Sequence, residues 1–262
     1  MSTSHTKKSL SIRDFRKMKK NKQKIAMLTA YDTVTAKIFD ESGIDILLVG
    51  DSMNNVVLGQ QTTLNLRFET LGDHVQAVSQ ASQRAFVVAD LPFGSFQVDL
   101  EESVKAAIKM LSEFEAHGVK LEGASEYIIK VVDHMVSVGI PVMGHIGLTP
   151  QYIHQMGGFY THGKTEKSKK KLLEQAVALE KAGCFSLVLE CVEENLAEEI
   201  SQQLRIPCIG IGSGQGTDGQ VLVANDVLGY HFGHTPSFAK QYIDLKPLVE
   251  KAAKEYLKDV KG

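Results

Sequence analysis

A chain of 262 residues, 43% hydrophobic and 23% charged, has enough apolar mass for one sizeable core or two smaller ones. Its formal net charge of -2 provides no global basic field, which argues against nucleic acid or an anionic membrane surface as a partner. No stretch reaches the ~20 apolar residues of a membrane helix, and no apolar core follows the first lysines as in a signal peptide; three cysteines without CxxC spacing fit a reducing, cytoplasmic setting.

Residues 1–10 read as a flexible tail and residues 11–262 as one catalytic domain. The lysine-rich run 17–24 reads as a solvated face. Apolar, β-branched-rich runs at 25–30 and 44–50 predict strands, an amphipathic stretch over 68–84 a helix, and 86–90 a third strand. Over 99–117, Val104, Ala107, Ile108, Leu111 and Phe114 recur at helical spacing. A strand at 119–123 precedes a helix that Ser125 opens and Gly139-Ile-Pro breaks; the next strand covers 141–147. Beyond a second solvated lysine run at 167–171 come helix 171–182, strand 186–191, helix 193–204, strand 206–212, a weaker strand at 220–224 and an amphipathic helix over 245–260. This β/α alternation without a Pro/Gly/Ser-rich linker predicts an α/β fold, a closed (β/α)8 barrel of the TIM type in a single domain; an open doubly wound sheet is the alternative.

In such a barrel the chemistry lies at the carboxyl ends of the strands. Asp51, Asp90 and Glu122 all stand where an apolar run stops. Three converging carboxylates repel one another unless protonated or bridged, and an all-oxygen set suits Mg2+. The plainer reading makes Asp51 and Asp90 caps of their loops. Lys120 precedes Glu122 by two residues, so both leave the same face of the strand and turn inward or outward together. His145 and Glu190 each interrupt an apolar strand. A carboxylate inside such a strand needs a partner or a task, so Glu190 is either half of a buried salt bridge or a proton-transfer group. Cys191 has no obvious base beside it and reads as structural. Gly210-Ile-Gly-Ser-Gly-Gln-Gly lacks the Lys-Ser/Thr of a P-loop and reads as close-packed backbone at the rim, with Ser213 available as a donor.

Taken in order, Met27-Leu-Thr-Ala-Tyr-Asp, Leu48-Val-Gly-Asp-Ser, Ala89-Asp-Leu-Pro-Phe, Val119-Lys-Leu-Glu-Gly, Gly144-His-Ile-Gly-Leu-Thr-Pro-Gln, Val188-Leu-Glu-Cys-Val and Ile209-Gly-Ile-Gly-Ser-Gly resemble the ketopantoate hydroxymethyltransferase family. Gly-Asp-Ser alone also fits the wider phosphoenolpyruvate mutase and isocitrate lyase barrels. The resemblance implies hydroxymethyl transfer from 5,10-methylenetetrahydrofolate to 3-methyl-2-oxobutanoate, giving 2-dehydropantoate for pantothenate synthesis, in a cytoplasmic, Mg2+-dependent homo-oligomer, typically a decamer. It further implies that Asp51, Asp90 and Glu122 bind the metal, that Asp51, Ser52, Asp90, Lys120 and His145 bind substrate, and that Glu190 is the proton acceptor. Mg2+ on the 2-oxo acid would then stabilise the enolate formed at C3. The segment Tyr230-His-Phe-Gly-His-Thr-Pro-Ser-Phe-Ala-Lys departs from the family pattern. Two other readings are a metal-dependent lyase or mutase of the related barrel group and a non-catalytic barrel that binds a 2-oxo acid.

Overall fold

The structure, a computed structural model, describes residues 9–233 and 235–262. Its elements run α1 (Ile12–Lys20), β1 (Ile25–Thr29), α2 (Thr33–Ser42), β2 (Ile46–Val49), α3 (Met53–Val56), α4 (Phe68–Ala81), β3 (Phe86–Asp90), α5 (Leu100–Ser112), β4 (Gly118–Glu122) and α6 (Glu126–Ser137). There follow β5 (Val142–Gly147), a 3-10 turn (Pro150–Tyr152), α7 (Ile153–Met156), α8 (Glu166–Lys181), β6 (Ser186–Glu190), α9 (Glu194–Gln203), β7 (Cys208–Ile211), β8 (Gly219–Leu222), α10 (Ala224–Leu228) and α11 (Lys246–Lys261). The eight strands are parallel and close in chain order, β8 pairing β1, so the predicted barrel is observed. The tail expectation falls mainly on residues 1–8, which lie outside the described residues; Leu10 N donates to Arg84 O at 2.8 Å.

The two-residue period of the strands sorts their side chains into two cores. Ile25, Met27, Ile46, Leu48, Phe86, Val88, Met143, Val188, Ile209 and Val221 form one cluster, which fills the barrel. Their neighbours Leu47, Val49, Val87, Ala89, Val119, Leu121, Val142, Leu187 and Leu189 face the helices in the other. Asp32, Asp99, Ser125 and Thr165 cap α2, α5, α6 and α8 by accepting from orphan backbone N–H groups.

Helix α1 overlaps the run 17–24 only at its carboxyl end, where Lys17 and Lys20 keep to solvent as expected, while its other face, Phe15 and Met18, is part of the inner core. Phe15 is fully buried, with its ring edge-on to Phe86 at 5.6 Å and stacked on Phe185 at 6.3 Å. Lys19 reaches Asp218 at 2.6 Å, while Lys17 and Lys20 are exposed. The helix therefore stoppers the amino-terminal end of the barrel, which leaves the carboxyl end as the open one. Phe15→Ala is expected to cost about 3–5 kcal/mol, the range for truncating a buried aromatic ring. Urea unfolding reads this as a lowered midpoint at unchanged slope; an unchanged midpoint would mean that α1 is not part of the core.

No helix of the described residues is long and apolar enough to cross a membrane. Helix α11 has no buried residue, and its Leu248, Val249, Tyr256, Leu257 and Val260 are exposed.

Candidate active site

Register brings the charged residues together. Asp90 is opposite Lys120 across β3 and β4, Glu122 opposite His145 across β4 and β5, and Gly147 opposite Glu190 across β5 and β6. Lys120 and Glu122 leave the same face, as their spacing predicts, and that face is the interior: they are 5% and 1% exposed. Asp51, one residue beyond Gly50 at the end of β2, completes the group.

The contacts are short and specific. Lys120 Nζ lies 2.7 Å from Asp90 Oδ1, a buried ion pair, while Asp90 Oδ2 accepts from Asp51 N at 2.9 Å. Gly50 permits that approach, since a Cβ there would stand 3.1 Å from Asp90 Oδ2 and 3.1 Å from Ser52 Oγ. Ser52 Oγ and Tyr31 OH are 2.8 Å apart. His145 lies between two carboxylates, its Nδ1 3.5 Å from Glu122 Oε1 and its Nε2 3.2 Å from Glu190 Oε2. Lys120 Nζ is 3.4 Å from the same Nδ1. The Glu190 side chain is 18% exposed and stands at the edge of the group, paired with His145.

The electrostatics follow from burial and crowding. Desolvation, reinforced by the charges of Asp90 and Glu122, pushes the Asp51 carboxyl from 3.8 up to about 8 against the opposing pull of Lys120 and Gln151. For His145, desolvation and Lys120 disfavour the cation, but Glu122 and Glu190 outweigh them and raise it from 6.5 to about 9. Desolvation also works against the Lys120 ammonium, yet Asp90, Glu122 and Asp51 together hold it well above its ordinary value. Cys191, half-buried beside Glu190, is pushed up to about 11 by burial and by that carboxylate, which favours the neutral thiol over the nucleophilic thiolate.

Two residues take roles their sequence positions did not suggest. Gln151, on the turn after β5, donates its backbone N–H to Glu122 Oε2 at 2.9 Å and its amide to Asp51 Oδ2 at 3.1 Å. The motif Gly144-His-Ile-Gly-Leu-Thr-Pro-Gln ends on this residue and by itself gives it no role. Ser213 is not a free donor at the rim: its hydroxyl donates to Leu189 O at 2.8 Å and accepts from Val192 N at 2.9 Å, tying β7 to the end of β6.

The donors fit a hard cation in chemistry and charge. Four carboxylates, Asp51, Asp90, Glu122 and Glu190, meet Lys120 and His145, and burial makes the ionised Asp51 unfavourable without a further positive charge. Among the described residues, no three His, Cys, Asp or Glu side chains make a ready cage for an ion. Glu122 is turned toward Gln151 N and His145. A cation here would rest on Asp51 and Asp90, with Glu122 behind them and other oxygens completing its shell.

Two solved structures share the barrel. Phosphonopyruvate hydrolase, solved with oxalate and Mg2+, is 8% identical with a TM-score of 0.63, covering 95% of this chain and 86% of its own. The 2,3-dimethylmalate lyase of the phosphoenolpyruvate mutase/isocitrate lyase superfamily is 12% identical with a TM-score of 0.60, covering 95% and 84%. At such identities the likeness establishes the fold. In sequence, the 3-methyl-2-oxobutanoate hydroxymethyltransferase of Syntrophus aciditrophicus is 48% identical over 262 residues, which is 100% of this chain and 96% of the relative. The family model described as ketopantoate hydroxymethyltransferase matches residues 9–262, and with that identity across the whole length the chain belongs to the ketopantoate hydroxymethyltransferase family.

Proposed function

We propose that this enzyme transfers a hydroxymethyl group from 5,10-methylenetetrahydrofolate to 3-methyl-2-oxobutanoate, forming 2-dehydropantoate, and does so with a divalent cation, Mg2+ in the first instance. What carries the reading is one arrangement: an acidic, lysine-balanced cluster at the carboxyl ends of the strands, with a solvent-reachable carboxylate, Glu190, at its edge. The substrate is the one for which the relatives are named.

Asp51 and Asp90 would hold the cation, with Glu122 contributing charge behind them. A cation bound there supplies Lewis acidity, withdrawing charge from the 2-oxo oxygen. The remaining work belongs to the side chains. Ser52, set by Tyr31, and Lys120, set by Asp90, contact the oxo acid and orient it. Glu190 accepts the C3 proton, and His145, 3.2 Å away and cationic at neutral pH, fixes the carboxylate for that transfer. The carbon nucleophile left at C3 then bonds to the methylene carbon of the folate; both C–N bonds of that carbon break, water supplies the hydroxyl, and tetrahydrofolate leaves with the C3 proton and one proton from water on its two nitrogens.

The decisive assay supplies 3-methyl-2-oxobutanoate with and without methylenetetrahydrofolate and Mg2+. Turnover should need all three, vanish after exhaustive EDTA treatment and return with Mg2+. Full activity after chelation overturns the metal assignment; turnover without folate makes the enzyme a lyase or mutase of the related barrel group. Three free cysteines, two of them buried, suit the cytoplasm. Exposed Ala26 on β1 and the uncovered apolar side chains of α11 suit assembly with further copies of the chain, a decamer on the family pattern.

A further inference from the structure

Gln151 is 4% exposed and uses its backbone N–H and both ends of its side-chain amide. Its backbone N–H serves Glu122 Oε2 at 2.9 Å, and its Nε2 serves both Asp51 Oδ2 at 3.1 Å and Leu91 O at 3.0 Å. Its Oε1 accepts from Gln97 Nε2 at 3.2 Å. Gln97 sits half-buried in the β3–α5 loop, where its own Oε1 accepts from Gly94 N at 2.7 Å and Phe96 N at 3.3 Å.

The orientation of a side-chain amide is normally ambiguous, but here both ends of the chain of bonds are fixed. Backbone N–H groups of Gly94 and Phe96 can only donate, so the Gln97 atom facing them is its oxygen. The nitrogen of Gln97 therefore faces Gln151 and meets the oxygen of that amide. The nitrogen of Gln151 is then left for Asp51 and for the Leu91 carbonyl, which can only accept. Each step forces the next, and the donor at the end of the series falls on the carboxylate that Asp90 and Glu122 repel most directly.

We infer that Gln97 and Gln151 are positioning residues, a two-amide relay that holds Asp51 and Glu122 in the orientation that receives the divalent cation and ties that site to the β3–α5 loop. The inference rests on the metal reading above. Outer partners of this kind commonly change metal affinity 10- to 100-fold when removed. Without Gln151 the Asp51 carboxylate loses its side-chain donor and turns from its neighbours. Without Gln97 the Gln151 amide keeps its bonds but loses the constraint on its orientation, so the effect is smaller and of the same sign.

The test measures Mn2+ affinity, by the electron paramagnetic resonance signal of the free ion, with neither oxo acid nor folate present. Mn2+ prefers the same oxygen donors as Mg2+. Gln151→Met keeps the side-chain length and the backbone donor to Glu122; it should bind Mn2+ on the order of tenfold more weakly. Gln97→Met should lose affinity several-fold, and the double variant should match Gln151→Met alone, because Gln97 acts through Gln151. Losses that multiply in the double variant overturn the relay, as does wild-type affinity in either single variant. If Gln151→Met fails to fold by circular dichroism, Gln97→Met in its half-buried loop decides alone. Wild-type protein that binds no Mn2+ removes the metal reading and the relay together, whereas normal wild-type binding with unaffected variants removes the relay only.

Discussion

Glu190→Gln is expected to leave binding of the oxo acid and Mg2+ intact while enzyme-catalysed exchange of the C3 proton with deuterated solvent falls on the order of a hundredfold or more, the usual scale for a positioned base. Glutamine keeps the shape and removes the basicity. The side chain is 18% exposed and its near contact is His145 at 3.2 Å, so the substitution leaves no buried charge without a partner in the barrel core. Folate is not needed for the exchange, which separates proton removal from carbon–carbon bond formation. Exchange at the wild-type rate would exclude Glu190 as the base and pass the role to His145 in its neutral form, which loss of the Glu190 charge favours. Unfolding of the variant would instead restore the salt-bridge reading.

The barrel was legible because β/α alternation is a long-range pattern repeated through the chain, and every predicted strand overlaps an observed one. What escaped were elements whose burial depends on tertiary context. Helix α1 carries Arg13, Arg16, Lys17, Lys19 and Lys20, and nothing local reveals that Phe15 and Met18 plug the barrel floor. Helix α2 follows an Asp32 cap but exposes Val34 and Ile38, which blurs its apolar face. The short α3, α7 and α10, of four to five residues, hold too few turns for a period to show.

The site was partly legible for a related reason. Strand-end position singled out Asp51, Asp90 and Glu122, yet Asp40 and Asp45 are buried as well and Asp218 is half-buried. Asp40 accepts from the backbone N–H groups of Gln83, Arg84 and Ala85, Asp45 from Ala26 N and Arg84, and Asp218 from Ser201, Cys208 N and Lys19. These are satisfied by backbone donors and by cations, as structural carboxylates are. Asp90 and Glu122 also take backbone donors, from Asp51 N and Gln151 N; what sets the strand-end group apart is that its carboxylates crowd one another, with Lys120 and His145 as their shared cations. Gln151 lies 29 residues from Glu122 and 100 from Asp51 in sequence, so no local spacing pairs them.

That contrast makes Asp51→Asn the sharpest test of a site built for a cation rather than for stability. The folded chain keeps a proton on Asp51 up to about pH 8, whereas the unfolded chain releases it near 3.8. Between those values the native state binds more protons, so its stability falls as pH rises through the window. His145 acts in the same sense at higher pH: its contribution is complete below 6.5 and lost as pH passes about 9. Without metal, wild-type protein should therefore melt lower at pH 8 than at pH 6, and Asp51→Asn, neutral throughout, should melt higher than wild type at pH 8. Comparing the two isolates Asp51, since both retain His145. Added Mg2+ should raise the wild-type midpoint by mass action and leave the variant unmoved, while turnover of the variant falls on the order of a hundredfold or more. A variant that melts below metal-free wild type at pH 8, or that keeps Mg2+-dependent turnover, would make Asp51 a loop cap after all. A stabilised but inactive variant would identify the charge on Asp51 as strain that the fold tolerates for the sake of the cation.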